Sequence, residues 1–228
     1  MSTSTHPWRR VSAATTAAAA SALLLASCGG GIAGGDSEAE EGAIKLGMLA
    51  PFSGSEAAFG EYMQNGAELA IQEINEDGGI DGRELELIVE DDACDATASV
   101  AAAQKLVTAG VVASVGGYCS GATLPTIPVF MEAGIPMVIP AANSNAIVGQ
   151  GAFMINGTGA QQAEAGIKFA TDLGVTKVAT INDQTDYSKD LSDTFIADAE
   201  EAGNFEVVLD GAVNPDDKDF SANVKAVI

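Results

Sequence analysis

The chain has a single histidine, His6, and few cations: 10 Lys and Arg against 32 Asp and Glu, a formal net charge of −22. A polyanion needs a basic footprint, so nucleic acid is a poor partner for this chain. With no histidine after residue 6, the remainder has no histidine triad, general base or histidine metal site. Aromatic residues are only 5% of the chain, and the cysteines are three: Cys28, Cys94 and Cys119. No apolar run reaches the ~18 uninterrupted residues that a membrane span requires. What is present suffices for a core. The 228 residues are 47% apolar, which excludes wholesale disorder and fits one domain or two.

Residues 1–27 follow the plan of an export signal. Trp8-Arg9-Arg10 is a positive head, and residues 11–26 form a small, apolar body that leads through Leu25-Ala26-Ser27 to Cys28. The tetrapeptide ending at Cys28 resembles a bacterial lipobox, whose cysteine is lipidated and becomes the first mature residue. The alternative is a plain secretory peptide with an incidental cysteine. Arg9-Arg10 also hints at twin-arginine export, although the flanking residues fit it poorly. Residues 28–43, with Gly29-Gly30-Gly31 and Gly34-Gly35 before an acidic run from Asp36 to Glu41, read as a flexible tether. A phosphate-cradling glycine loop is excluded, because no Lys-Ser/Thr follows and no strand precedes. Cleavage at Cys28 removes Arg9 and Arg10 and no acid, leaving a still more acidic protein suited to salty surroundings.

From Ile44 onward, strand-like and helix-like segments alternate. Strands are expected at 44–50, 85–89, 111–115 and 136–139, with helices at 59–77, 97–108 and 122–133. Asn75-Glu76-Asp77-Gly78-Gly79 stops the first helix. After 153–156 the alternation restarts, with helices at 160–173 and 187–202, strands at 177–181 and 205–209, and a helix beginning at 219. This order predicts α/β architecture: parallel sheets flanked by helices with right-handed crossovers. The first α/β lobe is expected at 44–156 and the first part of a second at 157–228. The chain stops inside a helix, which reads as truncation.

Cys94 follows the second strand and Cys119 the third. Neighbouring parallel strands present their carboxyl ends together, so the two cysteines can meet, and an exported chain favours a disulfide over free thiols. Such a bridge would stabilise by roughly 3 kcal/mol on a chain-entropy model. Glu90-Asp91-Asp92-Ala93-Cys94-Asp95 is acidic enough to suggest a divalent ion, but carboxylates after a strand also serve as loop and cap residues, which is the reading preferred. The acids of 210–219 lack the glycine and glutamate of an EF-hand and read as a solvated loop. No metal or cofactor is expected. Open parallel sheets bind ligands beyond the carboxyl ends of their strands. There stand Ser53-Gly54, Tyr118-Cys119-Ser120 and Ala141-Ala142-Asn143-Ser144. A serine at a helix start and an asparagine together can hold a carboxylate and part of an ammonium. The residues alone leave open whether Ser120 and Asn143 do this or merely cap helices.

Ala50-Pro51-Phe52-Ser53-Gly54, Asn75 to Gly82, Asp91 to Asp95, Cys119-Ser120, Ile139-Pro140-Ala141-Ala142 and Lys218-Asp219-Phe220-Ser221 stand in order at characteristic spacing. Through them residues 44–228 resemble the periplasmic branched-chain amino acid binding proteins, which feed an ATP-driven importer. The resemblance implies two α/β lobes joined by three crossovers, the first at 153–158, with a ligand cleft that closes by hinge motion. It implies that Cys94 pairs with Cys119 and that Ser120 binds the ligand carboxylate. Ala141 would offer backbone groups, Asn143 stands where threonine is usual, Phe59 would cover the ligand, and Tyr187 would come from the second lobe. It places the remaining ligand residues, including an acid for the ammonium, and the strands completing the first lobe beyond Ile228. Without them, residues 28–228 are expected to fold poorly and bind weakly. The function implied is a non-enzymatic lipoprotein that hands an aliphatic amino acid to permease subunits, anchored to the bilayer through Cys28. The same fold binding short amides, urea or small aromatics, or acting as a sensor, is the alternative.

Overall fold

A computed structural model describes residues 42–203, 205–215 and 217–227. The export signal, Cys28 and most of the tether lie outside the described residues. The first sheet contains β1 (Ile44–Ala50), β2 (Leu85–Asp91), β3 (Ala113–Val115), β4 (Met137–Ile139) and β5 (Phe153–Met154). They lie in the order β2-β1-β3-β4-β5, every neighbouring pair parallel. β1, an interior strand flanked by β2 and β3, buries Met48, Leu49 and Ala50 in succession, the continuous apolar signature of a strand inside a covered parallel sheet.

α1 (Ala57–Glu76) follows β1, and α2 (Ala96–Ala109) follows β2. Asp95 starts α2 by accepting the N–H groups of Thr97 and Ala98, and Gly110 closes it at φ 77°. Ser99, Ala102, Ala103 and Leu106 lie at helical spacing and form its buried face. This face packs into one core with Leu49, Ile127, Phe130, Met137 and Ile139. The opposite face of the sheet is less well filled. α1 buries only Gly60, where a Cβ would collide with the Pro51 carbonyl. An apolar groove of about 390 Å³ separates the rest of α1 from Met48, Val115 and Val138.

Several boundaries differ from expectation, each for a local reason. The helix expected at 122–133 is broken into α3 (Ser120–Thr123), a 3₁₀ turn at Leu124–Thr126 and α4 (Ile127–Glu132). Pro125 and Pro128 lack the N–H a continuous helix needs, and each sits at the start of its own short element. The strand expected at 111–115 begins at Ala113, because Val111 closes α2 by donating its N–H to Leu106. Residues 153 and 154, read as the restart between lobes, form a fifth strand on the edge of the first sheet.

The second sheet has two parallel strands, β6 (Lys177–Asn182) and β7 (Glu206–Ala212). β7 is longer than expected and takes in Asp210 to Ala212, which were assigned to the acidic loop. These residues pair with Thr180, Ile181 and Asn182, while Val208 is the extra residue of a bulge. α5 (Gly159–Asp172) and α6 (Asp186–Ala202) pack on the sheet through Ile167, Ala199 and Phe205. α5 opens with a capping box between Thr158 and Gln161. α7 (Ser221–Val227) lies beside β7.

Candidate functional site

A cleft of about 430 Å³ opens at the carboxyl ends of both sheets. From the first lobe it is lined by Glu56, Cys94, Tyr118, Cys119, Ser120, Gly121, Ala122 and Asn143. Residues 183–187 line it from the second.

The first wall is built by short loops tied to one another. Cys94 and Cys119 form the expected disulfide, with 5.4 Å between their Cα atoms, joining the loop after β2 to the loop after β3. Ala93 and Cys94 take the left-handed conformation, with φ of 50° and 52°. The acids before them hold this turn. Asp91 accepts the N–H groups of Phe52 and Ala93, both at 2.8 Å, and Asp92 accepts that of Cys94 at 2.9 Å. Glu90 pairs with Lys105 at 2.8 Å. These carboxylates build a loop, in line with the preferred reading. Burial pushes the Asp91 carboxyl up, but bonds from Phe52, Ser53 and Ala93 outweigh it and hold the group below its ordinary range. Asp92 goes the other way: burial raises it, only partly offset by the Cys94 N–H, and the Asp91 charge adds to the rise.

Ser120 is 4% exposed, and its Oγ accepts the N–H groups of Asn143 at 3.3 Å and Ser144 at 3.2 Å. Its hydroxyl proton therefore remains available to an acceptor in the cleft. Asn143 is 6% exposed, and its side-chain amide has no partner among the described residues. Its carbonyl accepts the Gly159 N–H at 2.8 Å, at the entry to α5. Neither residue caps a helix: Cys119 precedes α3 without a side-chain cap bond, and Ser144 caps the turn at Asn145–Ile147. The capping alternative left open by spacing is thus not the one adopted.

Two expected ligand residues stand back from the cavity. Phe59 is exposed and stacks on Tyr118 at 4.8 Å between ring centroids, so it backs a cleft-lining ring without reaching the cavity itself. The Ala141 carbonyl accepts the Asn156 side chain at 2.7 Å, and Ala141 does not line the cavity. Ser53 and Gly54 are exposed and likewise outside it. Burial, followed by the neighbouring Glu56 charge, pushes the Tyr118 hydroxyl above its ordinary value.

The second wall is the β6–α6 loop. Thr185 caps α6 by accepting the Ser188 N–H. One oxygen of Asp183 accepts the Thr185 N–H at 3.0 Å, the Thr185 hydroxyl at 2.7 Å and the Ser188 hydroxyl. Burial raises the Asp183 carboxyl, but the Ser188 and Thr185 bonds outweigh it and hold it below its ordinary range. Tyr187 lines the cleft as expected, its hydroxyl donating to Gln162 at 3.2 Å. Asp186 presses against Gly121 across the cleft, where a Cβ on Gly121 would collide with its carboxylate. Asn145 joins the lobes. Its N–H donates to Asp190 at 2.8 Å, its Nδ2 to Thr194 at 2.9 Å, and its Oδ1 accepts the Ala160 N–H at 2.8 Å.

A cleft between two parallel sheets, walled by loops at their carboxyl ends, is an arrangement that can hold a small molecule. A sequence model of the family described as periplasmic binding protein matches residues 43–228. The chain belongs to the periplasmic binding protein family. Among its relatives, the Leu/Ile/Val-binding protein BraC3 of Rhizobium johnstonii is 39% identical over 183 residues, spanning 78% of this chain and 50% of the relative. The crystal structure of the branched-chain amino acid transporter substrate-binding protein LivJ of Streptococcus pneumoniae, in complex with isoleucine, superposes with a TM-score of 0.72 at 30% identity. It covers 80% of this chain and 53% of its own. An ABC transporter solute-binding protein from R. palustris in complex with benzoate gives a TM-score of 0.73 at 25% identity, covering 82% and 52%. The chain thus spans about half the length of the relatives it matches.

Sequence reasoning passed over Glu56, Gly121 and Asp183 to Asp186 as cleft residues, and Asn145 as an inter-lobe tie. The carboxyl-end rule that singled out Ser120 and Asn143 applies equally to β6 and would have pointed to 183–186. Nothing in the local pattern marks Asn145, because its three partners come from α5 and α6.

Proposed function

We propose that the protein is the solute-binding component of an ATP-driven importer, exported and lipid-anchored through Cys28. In this reading it holds a branched-chain or similar aliphatic amino acid in the cleft and passes it to permease subunits. The observation that carries the reading is the pair Ser120 and Asn143, buried with hydrogen-bonding capacity to offer, facing the Tyr187 wall of the other lobe. Ser120 would donate to the ligand carboxylate and Asn143 would bridge carboxylate and ammonium. Tyr118, backed by Phe59, with Tyr187 and the disulfide would enclose the side chain. Ala141 would contribute through the position of its backbone. Affinity arises from enclosure and lobe closure, with no bond broken. Kinship with Leu/Ile/Val-binding proteins supports the ligand class. We assign the open groove beside α1 to chain beyond residue 228 in the intact protein, as the greater length of the relatives suggests.

A second ligand class has its own support. The stacked Phe59–Tyr118 pair and the benzoate-bound neighbour favour a small aromatic acid. A thermal-shift panel of amino acids, short amides, urea and benzoates on the intact protein separates the two. A ligand at one hundred times its dissociation constant adds about 2.7 kcal/mol of stability. A shift with leucine, isoleucine or valine is the expected result. A shift with benzoates, amides or urea alone would overturn the amino-acid reading while keeping the fold.

A further inference from the structure

We infer that Asn145 is a latch between the lobes: it sets how far they close over the cleft, and through closure it sets the affinity for whatever the cleft holds, without touching the ligand. The inference rests on the reading of the cleft as a ligand site that closes by lobe movement, and not on the class of ligand.

Asn145 belongs to the first lobe. It opens the turn Asn145–Ile147, and Ile147 is fully buried in the first core. Ser144 caps the same turn, so Asn145 is held at a fixed place. It does not line the cleft. Its polar groups reach the second lobe instead, and they do so in two ways. The Oδ1 bond to the Ala160 N–H lies at the start of α5, just past the crossover at 153–158. A Cβ on Gly159 would stand 3.0 Å from the Asp190 carboxylate and 3.3 Å from Asn145 Nδ2, so the bare backbone there lets turn, α5 and α6 meet. Contacts at the root of the crossover persist as the second lobe swings. The bonds to Asp190 at 2.8 Å and Thr194 at 2.9 Å differ in kind. Both residues stand on α6, one turn apart and on one face, and the swing carries them away from the turn.

Little else holds that flank closed. Beside the latch a cavity of about 300 Å³ opens between the lobes, and Ser120, Gly121 and Leu124 line it from the first. α6 contributes Asp186, Lys189, Asp190 and Asp193 to it, and no apolar side chain. Closure there gains no apolar burial from α6 and rests on polar bonds. With few contacts separating the closed arrangement from an open one, a pair of hydrogen bonds weighs heavily on their ratio. A ligand that binds only the closed arrangement has its affinity scaled by the closed fraction. The scaling is common to all ligands, because Asn145 meets none of them. Asn145 is thus a positioning residue, with an effect that a change in the cleft wall would not imitate.

The test combines calorimetric titration of the intact protein with L-leucine, L-valine and benzoate, and small-angle X-ray scattering of the ligand-free protein. Asn145→Ala should lower the closed-to-open ratio by about tenfold. That appears as weaker binding, a larger ligand-free radius of gyration, or both, with the leucine-to-valine affinity ratio unchanged. Thr194→Val, which removes the hydroxyl at nearly constant volume, should act in the same direction by a smaller factor. It should add nothing to Asn145→Ala, since the bond between the two is then already absent. Affinity and radius both unchanged in folded Asn145→Ala and Thr194→Val variants would overturn the inference and leave the amino-acid reading intact. So would an altered leucine-to-valine ratio, or full additivity of the two substitutions. Wild type that binds benzoate alone would overturn the amino-acid reading, and the variants would be scored on benzoate by the same criteria. Wild type that binds none of the three would overturn that reading too, and an unchanged radius in the variants would then overturn the latch.

Discussion

The two walls of the cleft are built on opposite plans. The first presents the buried, neutral Ser120 and Asn143, beside the half-buried Glu56, on loops tied down by a disulfide and by a core of twelve buried residues. The second presents acidic groups on one loop, Asp183 half-buried and Asp186 exposed, and behind it Ile167, Ala199 and Phe205 form the buried cluster among the described residues. A two-stranded sheet is marginal by itself, and this one keeps Ile181 and Val208 exposed, at 46% each. The difference teaches where each half obtains its order. The first wall is positioned by tertiary packing and a covalent link. The second is positioned by local hydrogen bonds around Asp183 and by its attachment to the first through Asn145.

That contrast can be broken most strongly at the disulfide. Cys94→Ser should destabilise the first wall by about 3 kcal/mol, read as a lowered urea midpoint that reductant no longer changes. If the midpoint does not move, the first wall is held by packing alone.

The next largest effect is expected in the second wall. Asp183→Ala removes the acceptor shared by Thr185 and Ser188 and should cost about 2 kcal/mol, part of the charged bonds being screened by solvent. Amide exchange at 182–190 should accelerate while that of β1 is unaffected. The same group gives the walls different responses to acid. The Asp183 carboxyl lies below the ordinary value of 3.8, so its contribution is present above about pH 4 and lost as pH falls through its lowered value. In the first wall the carboxyls oppose each other. Asp91 is lowered and behaves as Asp183 does, whereas Asp92 is raised, so its contribution is present below 3.8 and lost as pH rises through its raised value. Exchange measured from pH 6 down to 3 should therefore show the second wall loosening first.

A smaller change sharpens the attachment. Asn145→Ala removes its side-chain bonds to Thr194 and Ala160 and should cost about 1.5 kcal/mol. Exchange should rise at the start of α5 and in the middle of α6 around Thr194, with α2 unaltered. The smallest effect expected is that of salt. With a net charge of −22, screening should raise the melting temperature, by an amount equivalent to about 1 kcal/mol or less. A flat or falling melting temperature would remove the case for an acidity adapted to salty surroundings.

Much of this was legible before any coordinates. The alternation of apolar runs with helical spacing foretold parallel α/β architecture, and the order of β6, α6 and β7 was read correctly within a few residues. Misreadings fell where one local signal competed with another. The alanine-rich stretch around Ala122 looked helical, yet Pro125 and Pro128 divide it. Phe153-Met154 is too short to announce itself as a strand and becomes one only because β4 offers an edge. In the cleft, Ser120, Asn143 and Tyr187 were found by rule and resemblance. Ala141 and Phe59 were named but stand one layer back, because the Ala141 carbonyl is taken by Asn156 and Phe59 is held on Tyr118.

By itself the sequence determined the class of fold, the cysteine pair and the acid-rich, histidine-free chemistry after residue 6. Periodicity and composition are local properties that need no partner to be read. Only the tertiary structure decided that Ser120 and Asn143 keep hydrogen-bonding capacity for the cleft, that Asn145 joins the lobes, and that Asp186 meets Gly121. Each depends on residues from separate elements arriving at one place, and no local pattern encodes that distance.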